Sequence, residues 1–282
     1  MGAALNAEEI QVWKDVDGML TWDPRVKSGG YRVKSLSYQE AHELANAGAT
    51  ILHPETMAPA QRLRIPLIIR NTFRPESEGT TIGLPKTACS NAVKSIACQK
   101  NLTVLELRSP TAEKPLTEYS ALIERVCKAQ KTATLLATSD DVIYLALEPN
   151  GRDPGLNFDL DQCVEVHVRT DQAIVTLVGQ TLKRCNVVAR LSSLLKQQSI
   201  LILPQSAGSC SVRIIAAQED LAACTEILQR AFFADVDPAF FGAPELAPDK
   251  QRIERSVRTF LSREHQVFSA QPNRFALPTI RQ

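Results

Sequence analysis

The 282-residue chain is predicted to be an α/β segment followed by two α+β modules. Three observations predict this. Residues up to about Lys86 mix short apolar strands with two capped helical stretches. Beyond them the order strand-helix-strand-strand occurs twice, over about 87–160 and 161–233. The composition, 44% hydrophobic and 22% charged, is that of a folded chain and excludes wholesale disorder. Aromatic residues are only 5%, so the cores must rest on Leu, Ile, Val and Ala. At about 100–200 residues per domain, the length holds two or three units.

In the first segment, Glu9 to Trp13 alternates polar and apolar residues and suits a short strand. It enters Lys14-Asp15-Val16-Asp17-Gly18, a turn composition. Ser37 precedes Glu40 by three residues, which forms a capping box, and Tyr38, Ala41, Leu44 and Ala45 follow at helical spacing. Gly48 supplies the C-cap. His53-Pro54 opens a second helix with proline at its first position. Ile65 to Arg70 reads as a buried strand and Arg74 to Thr81 as a polar loop.

In the second segment, Val93–Ala97, Thr103–Leu107, Thr134–Thr138 and Val142–Leu147 read as strands, with a helix over Thr117–Gln130. In the third, Ala173–Val178, Ile200–Leu203 and Val212–Ala216 read as strands. Helical stripes run from Val187 to Leu195 and from Leu221 to Ala231. The β-α-β-β-α order of the third segment, shared in part by the second, is that of a ferredoxin-like unit used twice. Residues 234–282 carry five prolines and read as an extension of irregular structure.

The formal net charge is +1, which argues against a general nucleic-acid binder. The N-terminus shows no basic and apolar signal pattern, and no apolar run approaches 18 residues. A cytoplasmic location without membrane contact is expected. Seven cysteines without a CxxC pair read as buried small thiols, and four dispersed histidines give no metal-ligand spacing. No metal site of protein ligands alone is expected.

Val12-Trp13-Lys14-Asp15-Val16-Asp17-Gly18 with Thr21-Trp22-Asp23-Pro24-Arg25 resembles the W-T-D-V-D-G and T-x-D-P-R motifs of aspartate kinases. Leu36 to Ala41 resembles their L-S-Y-x-E-A, Gly48 to Pro54 their G-A-K-V-L-H-P, and Gly79 to Ile82 the G-T-x-I that closes the kinase domain. Four motifs in order over about 75 residues make a specific signal. The resemblance covers roughly residues 3–233. It implies the C-terminal part of an amino-acid-kinase α/β lobe over 1–86 and two ferredoxin-like (βαββαβ) ACT domains over 87–160 and 161–233.

The resemblance also implies the chemistry. Aspartate kinases transfer phosphate from ATP, with Mg, to the β-carboxylate of L-aspartate, opening the route to lysine, threonine, methionine and diaminopimelate. Asp15 and Arg25 match nucleotide-binding positions of the motif. Ser109, Ser139 and Asp140 match positions near the amino-acid effector pocket, for lysine or threonine. No catalytic residue is assigned, because the family's K-F-G-G-T and G-R-G-G-S-D segments find no counterpart. Lys14, Leu20 and Thr50 stand where the family has Thr, Tyr and Lys, and Thr134 replaces an effector-binding acid.

Two readings of function follow: an N-terminally incomplete aspartate kinase, or a noncatalytic regulatory chain that pairs with a catalytic kinase chain. A piece of a fused lysine-pathway enzyme is a third. A homodimer through the ACT domains is the expected assembly if no catalytic chain takes that place.

Overall fold

In the computed structural model, the residues described are 2–23, 29–49, 52–84, 89–108, 124, 133–138, 142–148, 165–180, 182, 186–196, 198, 200–203 and 210–244. The N-terminal lobe contains β1 (Ile10–Lys14), β2 (Tyr31–Val33), β3 (Ser35–Ser37), α1 (Tyr38–Asn46), α2 (Pro54–Leu63), β4 (Leu67–Asn71) and β5 (Thr80–Gly83). Its sheet runs β1-β4-β5-β3. β1 is parallel to β4, β4 antiparallel to β5, and β5 parallel to β3.

Local chemistry explains the helices. Ser37 Oγ accepts the Glu40 N–H, and Glu40 Oε2 accepts the Ser37 N–H at 2.7 Å, so the capping box closes in both directions. At the other end of α1, the Ala49 N–H reaches the Leu44 carbonyl and the Gly48 N–H the Ala45 carbonyl, with Gly48 at φ 89°. That pattern is a Schellman motif, and glycine fits its left-handed position. His53 caps α2 through Nδ1, with Pro54 behind it. Leu36, Leu44, Met57, Leu67, Ile69 and Ile82, all at most 2% exposed, form the lobe's core.

The second sheet has six antiparallel strands: β6 (Ser95–Arg108), β7 (Ala133–Thr138), β8 (Val142–Leu147), β9 (Glu165–Val178), β10 (Ile200–Ile202) and β11 (Ser211–Ala217). Their order is β10-β11-β9-β6-β8-β7. Helices α3 (Val187–Leu194) and α4 (Leu221–Phe233) follow the expected stripes. The expected helix over Thr117–Gln130 lies outside the described residues, apart from the helical Glu124.

Two expected strands, Val93–Ala97 and Thr103–Leu107, are one continuous strand here. Residues 98–102 fall between the two expected strands, but β6 runs through them and bulges. Asn101 (φ 57°) and Asp171 (φ 53°) both take left-handed backbone beside the Leu102–Gln172 pair. The ladder shifts register there. Ser95–Gln99 then pair with Ile174–Val178, and Leu102–Arg108 with the earlier part of β9.

The last strand, β12 (Phe241–Pro244), pairs antiparallel with β2. No periodicity marked this strand, since its partner lies some 200 positions upstream and only tertiary pairing makes it extended.

Candidate nucleotide-side site

The turn after β1 is locked by residues from distant motifs. Gly18 has φ 127°, and a Cβ there would stand 2.4 Å from Thr80 Oγ1. Thr80 Oγ1 accepts the Met19 N–H at 2.8 Å and donates to the Val33 carbonyl at 2.6 Å. Gly79 (φ 72°) lies so close to the Ile69 carbonyl that a Cβ would meet it at 1.9 Å. The Asp-Gly turn and the Gly-Thr pair therefore form one packed unit.

Asp17 turns into this unit rather than outward. It accepts a hydrogen bond from Asn71 Nδ2 at 2.7 Å and pairs with Arg74. Asp17 is therefore a structural residue. Asp15 behaves differently: it is exposed and lines a cavity of about 330 Å³.

Three elements wall this cavity. The strand segment after the turn supplies Met19, Leu20 and Trp22; the end of α1 supplies Leu44, Gly48 and Ala49; the start of β6 supplies Ser95 to Cys98. The lining is mainly apolar, with carboxylates of Asp15 and Asp23 at its edge. That volume and lining suit a small organic ligand with one flat apolar part and a few polar groups. Ser95 Oγ donates to the Leu20 carbonyl at 2.7 Å, and the Ile96 N–H to the Thr21 carbonyl at 2.7 Å. The lobe wall and the β6 wall are thus directly stitched. Burial pushes the Cys98 thiol up to about 11, against a lowering hydrogen bond from Thr225.

Of the expected site residues, Asp15 is at the cavity. Arg25 lies outside the described residues, as do Ser109, Ser139 and Asp140. β6 ends in a charged cluster. Glu106, 5% exposed, accepts from Arg108 Nη2 at 2.8 Å and Arg169 Nη2 at 3.1 Å. Sequence reasoning missed the β6 contribution: Ser95 to Ala97 read only as strand and Cys98 only as a buried thiol. It also missed a buried ion pair, Glu40 with Lys94 at 3.0 Å. The capping box had marked Glu40, but nothing local marks Lys94 as its partner.

The chain is similar to known proteins over most of its length. The amino acid kinase family model matches residues 1–71. The chain is 31% identical over 248 residues to the chloroplastic aspartokinase 3 of Arabidopsis thaliana, covering 83% of this chain and 44% of that relative. It is 28% identical over 229 residues to the lysine-sensitive aspartokinase 3 of Escherichia coli K12, covering 78% and 51%. The crystal structure of E. coli aspartokinase III in complex with aspartate and ADP superposes with a TM-score of 0.68 at 27% identity. That match covers 82% of this chain and 54% of the other. The chain spans about half the length of the relatives it matches. The locked Asp-Gly and Gly-Thr unit, the capping box and these alignments lead to one conclusion: the chain belongs to the aspartokinase family.

Proposed function

We propose that this chain supplies the nucleotide side and the regulatory part of an aspartate kinase, which moves the γ-phosphoryl group of ATP to the β-carboxylate of L-aspartate. The observation that carries the reading is the cavity bounded by Asp15, Leu20 and the end of α1. An adenine ring would lie against Leu20, Leu44 and Ile96, and the Asp15 carboxylate would accept hydrogen bonds from sugar hydroxyls. Arg25 would face the phosphates. Mg²⁺, held by phosphate oxygens, neutralises their charge when bound. Positioning and electrostatics dominate phosphoryl transfer, so a nucleotide side alone gives binding without turnover.

The relatives support this reading by their names and by the ADP and aspartate of the E. coli structure. A lysine complex of the same E. coli enzyme supports an amino-acid effector, lysine or threonine, near Ser109, Ser139 and Asp140. Such a protein would work in the cytoplasm or an equivalent aqueous compartment; no helix among the described residues is long and apolar enough to cross a membrane. A second reading, a regulatory chain paired with a catalytic kinase chain, is favoured by Leu20: an aliphatic side chain lines the cavity where the family motif has tyrosine.

Calorimetric titration of ADP and MgATP into the purified chain tests the binding claim, with Asp15→Ala and Arg25→Ala as comparisons. Trapping aspartyl phosphate as its hydroxamate tests turnover. Binding lost in both variants, without turnover, is expected. Turnover by the chain alone would overturn the second reading, and no binding would overturn the first.

A further inference from the structure

The segment after α4 has no role in the function argued so far, yet it is closely tied down. Asp237 accepts the Ala239 N–H at 2.9 Å and the Ser90 hydroxyl at 3.0 Å, and donates its own N–H to Asn91 Oδ1. Asn91 Nδ2 donates to the Asp235 carbonyl. These contacts hold the segment against the linker that leads into β6. Its other side binds the lobe. Lys34 Nζ donates to the Pro238 carbonyl, the Lys34 N–H to the Phe240 carbonyl, and β12 extends β2.

The two attachments flank the cavity. β2 is bonded to the strand segment that forms one wall: Thr21 N–H to the Tyr31 carbonyl at 2.9 Å, Val33 N–H to the Met19 carbonyl at 2.8 Å. The linker continues into the other wall at Ser95 and Ile96. Aromatic contacts run along the same path. Phe241 meets Phe233 at 6.2 Å, Phe233 meets Trp22 at 5.6 Å, and Trp22 lines the cavity. Phe240, 6% exposed, lies 5.3 Å from Lys94 Nζ.

We propose that Asp237–Pro244 is a clamp that sets the spacing of the two cavity walls, so that its residues are positioning residues for the ligand held there. The ligand class, a purine nucleotide, rests on the function proposed above. The clamp joins the wall segment 19–22 to the start of β6 without touching the cavity itself. Releasing it frees the walls to part along the Thr21–Ile96 and Leu20–Ser95 bonds.

The test uses the full chain in a Trp13→Phe background, which leaves Trp22 as the sole tryptophan. Phe241→Ala cuts the clamp but also opens the core, so a milder Lys34→Ala/Asp237→Ala variant is made beside it. Hydrogen exchange, Trp22 emission and ADP titration are read on each. The clamp predicts at least about tenfold faster exchange at the Ile96 amide, which bridges the two walls, in the mild variant. It also predicts a red-shifted Trp22 emission and at least fivefold weaker ADP binding, with a melting midpoint within a few degrees of the parent. Weaker binding at an unchanged midpoint is what a merely structural role would not produce. Fast exchange at Phe240 and Phe241 with unchanged protection at Ile96 would overturn the clamp. If the parent binds no ADP, the nucleotide reading fails, and the exchange and emission data alone decide the clamp.

Discussion

Glu40 and Lys94 form an ion pair of 3.0 Å with side chains 0% and 1% exposed, joining the first turn of α1 to the residue before β6. Lys94 also reaches the Ser35 carbonyl at 3.4 Å, while Glu40 Oε1 has no hydrogen-bond partner among the described residues. A buried pair is worth little against an apolar replacement, but removing one partner strands the other charge. Lys94→Met or Glu40→Leu alone should cost about 3–5 kcal/mol of unfolding free energy. The double Glu40→Leu/Lys94→Met should lose about 2 kcal/mol or less, much of it the capping bond. Denaturant unfolding of the four proteins measures this. Additive losses would show that the pair is not coupled.

Gly79→Ala is expected to be among the most damaging single changes in the lobe. Its positive φ alone costs about 1–3 kcal/mol for a residue with a Cβ, and the Cβ would collide with the Ile69 carbonyl. Gly29, at φ 85°, has nothing within 4 Å of its Cβ. Gly29→Ala should therefore show the strain without the collision. Chemical denaturation should rank Gly79→Ala clearly below Gly29→Ala; equal losses would refute the collision.

Acid should loosen two places. Burial raises the Glu106 carboxyl, but Arg108 and Arg169 outweigh it and hold the group below its usual range. The Ala239 N–H and the Ser90 hydroxyl do the same for Asp237. A depressed carboxylate contributes stability that is fully present above its unfolded pKa and is lost as pH falls through the folded value. Stability should be level near neutrality and fall below about pH 4. Carboxyl titration by NMR checks the assignment, since Arg169→Ala must raise Glu106 and leave Asp237 unchanged.

The thiols should resist alkylation. Burial holds Cys98 and Cys224 at about 11 and Cys210 at about 12. The thiolate is the nucleophile, so iodoacetamide at pH 8 should label these three about two orders of magnitude slower than a free cysteine. Peptide mass spectrometry identifies the labelled residue. Among these, Cys98 lines the cavity. A bound ligand should slow its labelling further and leave Cys210 unchanged.

What the sequence made legible was local. Ser37 and Glu40 announced α1, Gly48 its end, and His53-Pro54 the start of α2, because a cap is made between neighbours along the chain. Asp15 was legible through its motif. The cavity was not, because its walls bring Asp15, Leu44 and Ile96 together from three separate stretches. Nothing local marked Lys94 as buried, and the first half of β9 was hidden by its exposed, polar composition. The gap left at residues 98–102 hid the bulge, because polar residues suit a turn and a bulge equally well.

The pairing of β6 with β9 also constrains how the chain can be made. Ser95 must wait for Val178, and Arg108 for Glu165, before either strand has its partner. On a ribosome the start of β6 would emerge early and stay without its β9 edge until most of the sheet's sequence had been synthesised. Such long-range closure is slow and leaves an apolar edge open to other chains. Cellular yield should therefore depend on translation pace and chaperone supply more than on the stability of the finished fold.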